Sequence, residues 1–182
     1  MTEERLFELL DATLKPLGSI HLDGEEYREP ALDVLRYDRR TVRLHWVPVI
    51  GRGLSVVAVT RQPGDVRFSV GGYQTFLTRL TMAVNGRFPP SWSSGLALGL
   101  TVLALTPEPI GPGDDAVLRE VVNGKPLPRQ RAVPLGVLRI NLGQEAFSFA
   151  LARGPEGLFP EPAALADVLS IHLRRFVPTL EV

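Results

Sequence analysis

The side chains that could do chemistry are few and scattered. The chain has no cysteine, which removes thiolate nucleophiles, disulfides and Cys-ligated zinc. Its three histidines, His21, His45 and His172, stand far apart. They lack the His-x-x-x-His or Glu-x-x-His spacing that puts two metal ligands on one helical turn. No Gly-x-Ser-x-Gly elbow is present. Ser91, Ser93 and Ser94 lie in a loop rich in Pro and Trp, where hydroxyls satisfy local backbone groups. Gly51-Arg52-Gly53 is too short for a phosphate loop and leads into a strand rather than a helix. It reads as a hairpin turn. Asp114-Asp115 opens a predicted helix, where adjacent side chains diverge and both carboxylates complement the dipole. Helix capping, with Asp114 as N-cap, explains the pair better than acid/base or magnesium chemistry. No catalytic residue, cofactor or metal site is expected, and the reading leans away from an enzyme.

The candidates for binding are of another kind. Arg36, Arg39, Arg40 and Arg43 form the densest basic cluster, with Arg129 and Arg131 as a smaller one. Twenty basic residues balance twenty acidic ones, and aromatic residues are not interleaved with the arginines as in a stacking platform. Nucleic acid is therefore a weak alternative, and a solvated or salt-bridged edge is the plainer reading. Eighteen of the basic residues are Arg and two, Lys15 and Lys125, are Lys, which reads as base-composition bias. Trp92 stands in FPPSWSSG, among neighbours that cannot easily bury it, and suits an anchor for a protein partner. Val47, Val49, Val57 and Val59 make both faces apolar near the Gly51–Gly53 turn, so each side needs a cover, one of which could be a partner subunit. A rival reading places a small-molecule pocket between sheet and helix, lined by His45, Arg139, Asn141 and His172.

These residues need elements to position them. Leu6, Leu9, Leu10 and Leu14 predict an amphipathic helix over 3–15, ended by Pro16 and Gly18. Residues 19–23 are ambiguous, and 24–30 read as charged loop. Leu32–Tyr37 reads as a strand, followed by a turn at Asp38-Arg39-Arg40. A hairpin then runs from Thr41 to Thr60 around Gly51–Gly53, and Val66–Val70 reads as a further strand. Tyr73, Phe76, Leu77, Leu80 and Val84 mark one stripe of a helix stopping at Asn85-Gly86. Gly95–Thr106 carries no polar alternation and predicts a strand buried on both faces. A short helix is expected from Asp114 to Asn123-Gly124, inside a Pro/Gly-rich excursion over 107–134. A second hairpin turns at Gly143-Gln144, and a last helix starts near Pro162 and ends by Pro178.

The expectation is one α+β domain over 1–182. It has a mostly antiparallel sheet of about six to eight strands, with N-terminal, central and C-terminal helices packed on it. The N-terminus is acidic and amphipathic, unlike a signal peptide. The longest apolar run has twelve residues, short of the ~20 a membrane helix needs, so a soluble, cytoplasmic protein is expected. The element order is similar to that of the small dimeric secretion chaperones, with the excursion over 107–134 as an addition to it. Together these features favour a non-catalytic adaptor or chaperone-like protein that acts through apolar surface, binding a protein partner or forming a homodimer.

Overall fold

Seven strands form one continuous sheet whose spatial order follows the chain, β1 to β7. The computed structural model describes residues 1–23, 32–43, 52–88, 97–124, 132–152 and 159–176. The strands are β1 (Ile20–Asp23), β2 (Val34–Arg43), β3 (Arg52–Arg61), β4 (Ala97–Leu105), β5 (Ala132–Asn141), β6 (Ala146–Leu151) and β7 (Arg174–Arg175). The helices are α1 (Glu3–Leu14), α2 (Val70–Arg87), α3 (Asp114–Val122) and α4 (Glu161–His172). The fold class is α+β, as expected, but the sheet is mixed. β1–β2, β2–β3 and β5–β6 pair antiparallel, whereas β3–β4, β4–β5 and β6–β7 pair parallel.

The mixture follows from the connections. β3, β4 and β5 share a direction because α2 and α3 carry the chain back between them. The tight turn after β5 reverses it, and α4 then joins β6 to a parallel β7. Each step advances one place along the sheet. Under the right-handed crossover rule, α2 and α3 must cover one face, and α4, linking two parallel strands that run opposite to β3–β5, must cover the other. The packing agrees. Tyr73, Phe76 and Leu80 of α2 and Leu118 and Val121 of α3 bury against Val56, Ala58, Leu100 and Val102. Leu6, Leu10 and Leu14 of α1 and Leu165 and Leu169 of α4 bury against Val57, Val59, Leu103, Leu138 and Ile140. β4 is covered on both sides, which is why its sequence is a continuous apolar run.

Local signals explain several boundaries. Thr2 caps α1 by accepting from the Arg5 N–H, and Ser69 caps α2 by accepting from the Gly72 N–H. Other expectations need correction. Asp38-Arg39-Arg40 is not a turn but the middle of β2, paired with Val57, Val56 and Ser55. Arg52 and Gly53 belong to β3, with Val42 opposite Gly53, so the hairpin joins Val34–Arg43 to Arg52–Arg61 across residues outside the described set. Val66–Val70 is no strand; α2 begins at Val70. The turn after β5 holds Leu142–Glu145, with Asn141 paired to Ala146, and the left-handed residue is Glu145 (φ 51°), not a glycine.

Candidate functional site

β3, β4 and β5 end side by side at Arg61, Leu105 and Asn141. In open sheets with parallel strands, the carboxyl ends are where ligands usually bind. Here that end carries a dense polar network centred on Arg139. Its side chain is 1% exposed, and it heads the largest fully buried side chains. A buried guanidinium needs charge and hydrogen-bond partners, and the loop after β4 supplies them. Arg139 Nη1 donates to the Pro109 carbonyl at 3.0 Å and to Asp114 Oδ2, while Nη2 donates to Glu108 Oε2 at 2.8 Å. The guanidinium carbon also lies 4.0 Å from the Phe68 ring centroid, in cation–π contact. Phe68 meets Tyr73 edge-on, and the Tyr73 hydroxyl donates to Gln62 Oε1 at 2.7 Å. Burial pushes the Tyr73 phenol well above its ordinary pKa.

Asn141 ties down the same loop. Its Nδ2 donates to the carbonyls of Pro107 and Glu108, and its Oδ1 accepts from the Gln144 N–H. Gln144 in turn accepts from the Ile110 N–H and donates to the Ile110 carbonyl. The Pro/Gly-rich stretch after β4 is thus sewn over the strand ends by β5 and its turn. Chemically, the arrangement neutralises Arg139 with two carboxylates. Of the charged trio only Glu108, with its side chain 44% exposed, is open to solvent.

Asp114 and Asp115 do not cap α3. The N-cap is Gly113, with no side-chain cap bond, and the carboxylates diverge to separate tasks. Asp114 pairs with Arg139. Asp115 Oδ1 accepts the Phe149 N–H of β6 at 3.0 Å, and Oδ2 accepts from Arg175 of β7 at 2.8 Å. The Arg175 guanidinium also stacks over the Phe149 ring at 4.3 Å. Asp115 therefore fixes the last strand and occupies an outward-facing backbone donor of β6.

A second set of buried charges lies along β2, on the α1/α4 face. Arg36 donates to Asp38 at 2.6 and 2.8 Å and to Asp11 of α1. Burial opposes its charge, but the bonds from Asp38 and Asp11 win and hold its pKa above the ordinary arginine value. Hydrogen bonds from Lys15, then Arg36, hold Asp11 below the usual carboxylate range. His21 Nδ1 lies 3.6 Å from Asp38 Oδ1. Arg40 donates to the buried Glu161 of α4.

The sites expected from sequence distribute as follows. Of the pocket set, Arg139 and Asn141 come together on one sheet face, whereas His172 is exposed at the end of α4 and His45 lies outside the described residues. Of the partner set, Val57 and Val59 are buried beneath α1 and α4 of their own chain, which leaves them no surface to offer; Val47, Val49 and Trp92 lie outside the described residues. Of the basic cluster, Arg36 and Arg40 turn inward and Arg39 is exposed. Among the described residues, no group of three or more His, Asp or Glu is placed to hold a metal ion, and no helix is long and apolar enough to cross a membrane. Sequence reading did not find the Asp114–Arg139 and Asp115–Arg175 pairs; the one signal for them was two adjacent carboxylates at a helix start with two basic strand residues downstream. Comparison with protein families, with curated proteins and with solved structures finds no match to this chain.

Proposed function

We propose that the chain is a non-catalytic protein-interaction module that self-associates through the β1 edge of its sheet. The observation that carries this reading is the closure of the strand ends. At the strand ends, where such sheets hold ligands, Arg139, Asp114 and Glu108 pair with one another, so these charged groups are engaged in holding a loop.

The two sheet margins differ, and the difference favours a second copy of the chain as partner. At the β6 margin, Asp115 takes a backbone donor and β7 is two arginines, charges that discourage further strand pairing. At the other margin, β1 is the terminal strand, and Ile20 at its start is 59% exposed. A sheet that has, among the described residues, one open margin and one blunted margin pairs into a closed two-fold dimer rather than a filament. Small-angle scattering over a concentration series tests the reading. A dimer mass is expected, and a strict monomer at high concentration would count against it.

A second reading keeps the strand ends as a small-molecule site, because Arg139 Nε has no hydrogen-bond partner and Glu108 is half exposed. Thermal-shift titration with small carboxylates and phosphates checks it: stabilisation lost in Glu108→Ala would support it, and no stabilisation would remove it.

A further inference from the structure

Three buried oxygens without hydrogen-bond partners lie on one face of the sheet: Ser55 Oγ, Thr101 Oγ1 and Glu161 Oε2. Their residues are at most 1% exposed. Native interiors pair almost all such atoms, so three in one neighbourhood point to a shared partner. Strand register shows the neighbourhood. Ser55 lies opposite Arg40 on β2 and Gly99 on β4. Thr101 sits two residues beyond Gly99, beside Gly136. Alternation along β3 and β4 puts Ser55 and Thr101 on the face of Val57, Val59 and Leu103, which α1 and α4 cover. Glu161 opens α4, which covers this face, and its other oxygen, Oε1, accepts from Arg40, the cross-strand neighbour of Ser55.

Size and charge select the occupant. A Cβ at Gly99 would lie 2.4 Å from Leu135 Cδ1 and 3.1 Å from Phe159 Cε1, and one at Gly136 would lie 3.0 Å from Pro162 Cβ. Space above the two glycines is already taken by these side chains, which leaves no room for a large ligand beside Ser55 and Thr101. The Arg40 guanidinium disfavours a cation there, and the Glu161 carboxylate disfavours an anion. A neutral molecule that can donate to a carboxylate and bond two hydroxyls meets every requirement, and internal water ordinarily makes two to four such bonds.

We propose that α4 docks on the sheet through a buried water-binding site formed by Glu161, Ser55 and Thr101. The site makes the seat of α4 polar and gives the inward-facing hydroxyls of β3 and β4 a role. Thr101→Val is the informative substitution, because it keeps shape and removes the hydroxyl. If water bridges the three groups, the variant lowers the folding equilibrium constant about tenfold, the loss expected for a satisfied buried hydrogen bond. If the hydroxyl has no bridging partner, removing it leaves the constant unchanged or raises it, which overturns the proposal. Oxygen-17 magnetic relaxation dispersion on the folded proteins gives an independent readout. The wild type is expected to hold at least one more long-lived internal water than Thr101→Val, and equal counts would overturn the proposal.

Discussion

Arg139 determines how the carboxyl ends of the parallel strands are used. Removing one partner of a buried ion pair strands the other charge, which typically costs about 3–5 kcal/mol. Arg139→Met is therefore expected to destabilise by that order in urea denaturation. The double variant Arg139→Met/Asp114→Leu should recover most of the loss, because it leaves no buried charge unpaired at that position. A single-variant cost below about 1 kcal/mol would mean that the network holds nothing together. Asp11 behaves differently, its side chain being 37% exposed. Its pKa is lowered in the folded state by Lys15 and then Arg36, so its contribution is present above the unfolded aspartate value of about 3.9. That contribution is lost as pH falls through the lower folded value. Asp11→Asn should lower stability at neutral pH, where the wild type has the full contribution, and converge with the wild type as pH falls below about 4, as read by urea denaturation across a pH series. Little of this was legible in the sequence. Leu138, Ile140 and Leu142 alternate with Val137, Arg139 and Asn141, which suggests a wet second face. Nothing local says that the partners of Arg139 lie 25 and 31 residues upstream.

Elements were more readable where burial alone decides them. α1 and the central strand β4 could be read because apolar spacing and a continuous apolar run report one covered face and two covered faces respectively. Leu103, fully buried in β4, should cost about 2–5 kcal/mol when truncated to Ala, as measured by urea denaturation. β2 was harder. Asp38-Arg39-Arg40 has turn-like composition, yet Arg36, Asp38 and Arg40 alternate onto one face, where Asp11 and Glu161 meet the arginines. Charges usually mark solvent, and here they mark helix docking. Asp115 offers the clearest test at this scale. Asp115→Ala removes the acceptor of the Phe149 N–H and the partner of Arg175. Hydrogen exchange at the Phe149 amide should quicken about tenfold or more, the loss of one charge-assisted bond, with Leu103 protection unchanged. No change at Phe149 would show that Asp115 does not guard the β6 edge.

At the scale of the whole molecule, the two margins of the sheet have opposite character. One is closed by β7, two arginines and Asp115, and the other ends at β1 with Ile20 exposed. The four helices cover both faces, so the valines of β3 that the sequence suggested for a partner are spent inside the chain. The margin at β1 is the surface on which self-association can be tested without disturbing the core. Ile20→Lys places a charge on an already exposed position and should leave folding intact while opposing strand addition. Sedimentation velocity of wild type and Ile20→Lys, from roughly 1 to 100 μM, spans the range in which an interface of ordinary strength assembles. The wild type should shift from monomer to dimer across that range and Ile20→Lys should stay monomeric. A wild type that remains monomeric throughout, or a variant that dimerises equally well, would contradict the account.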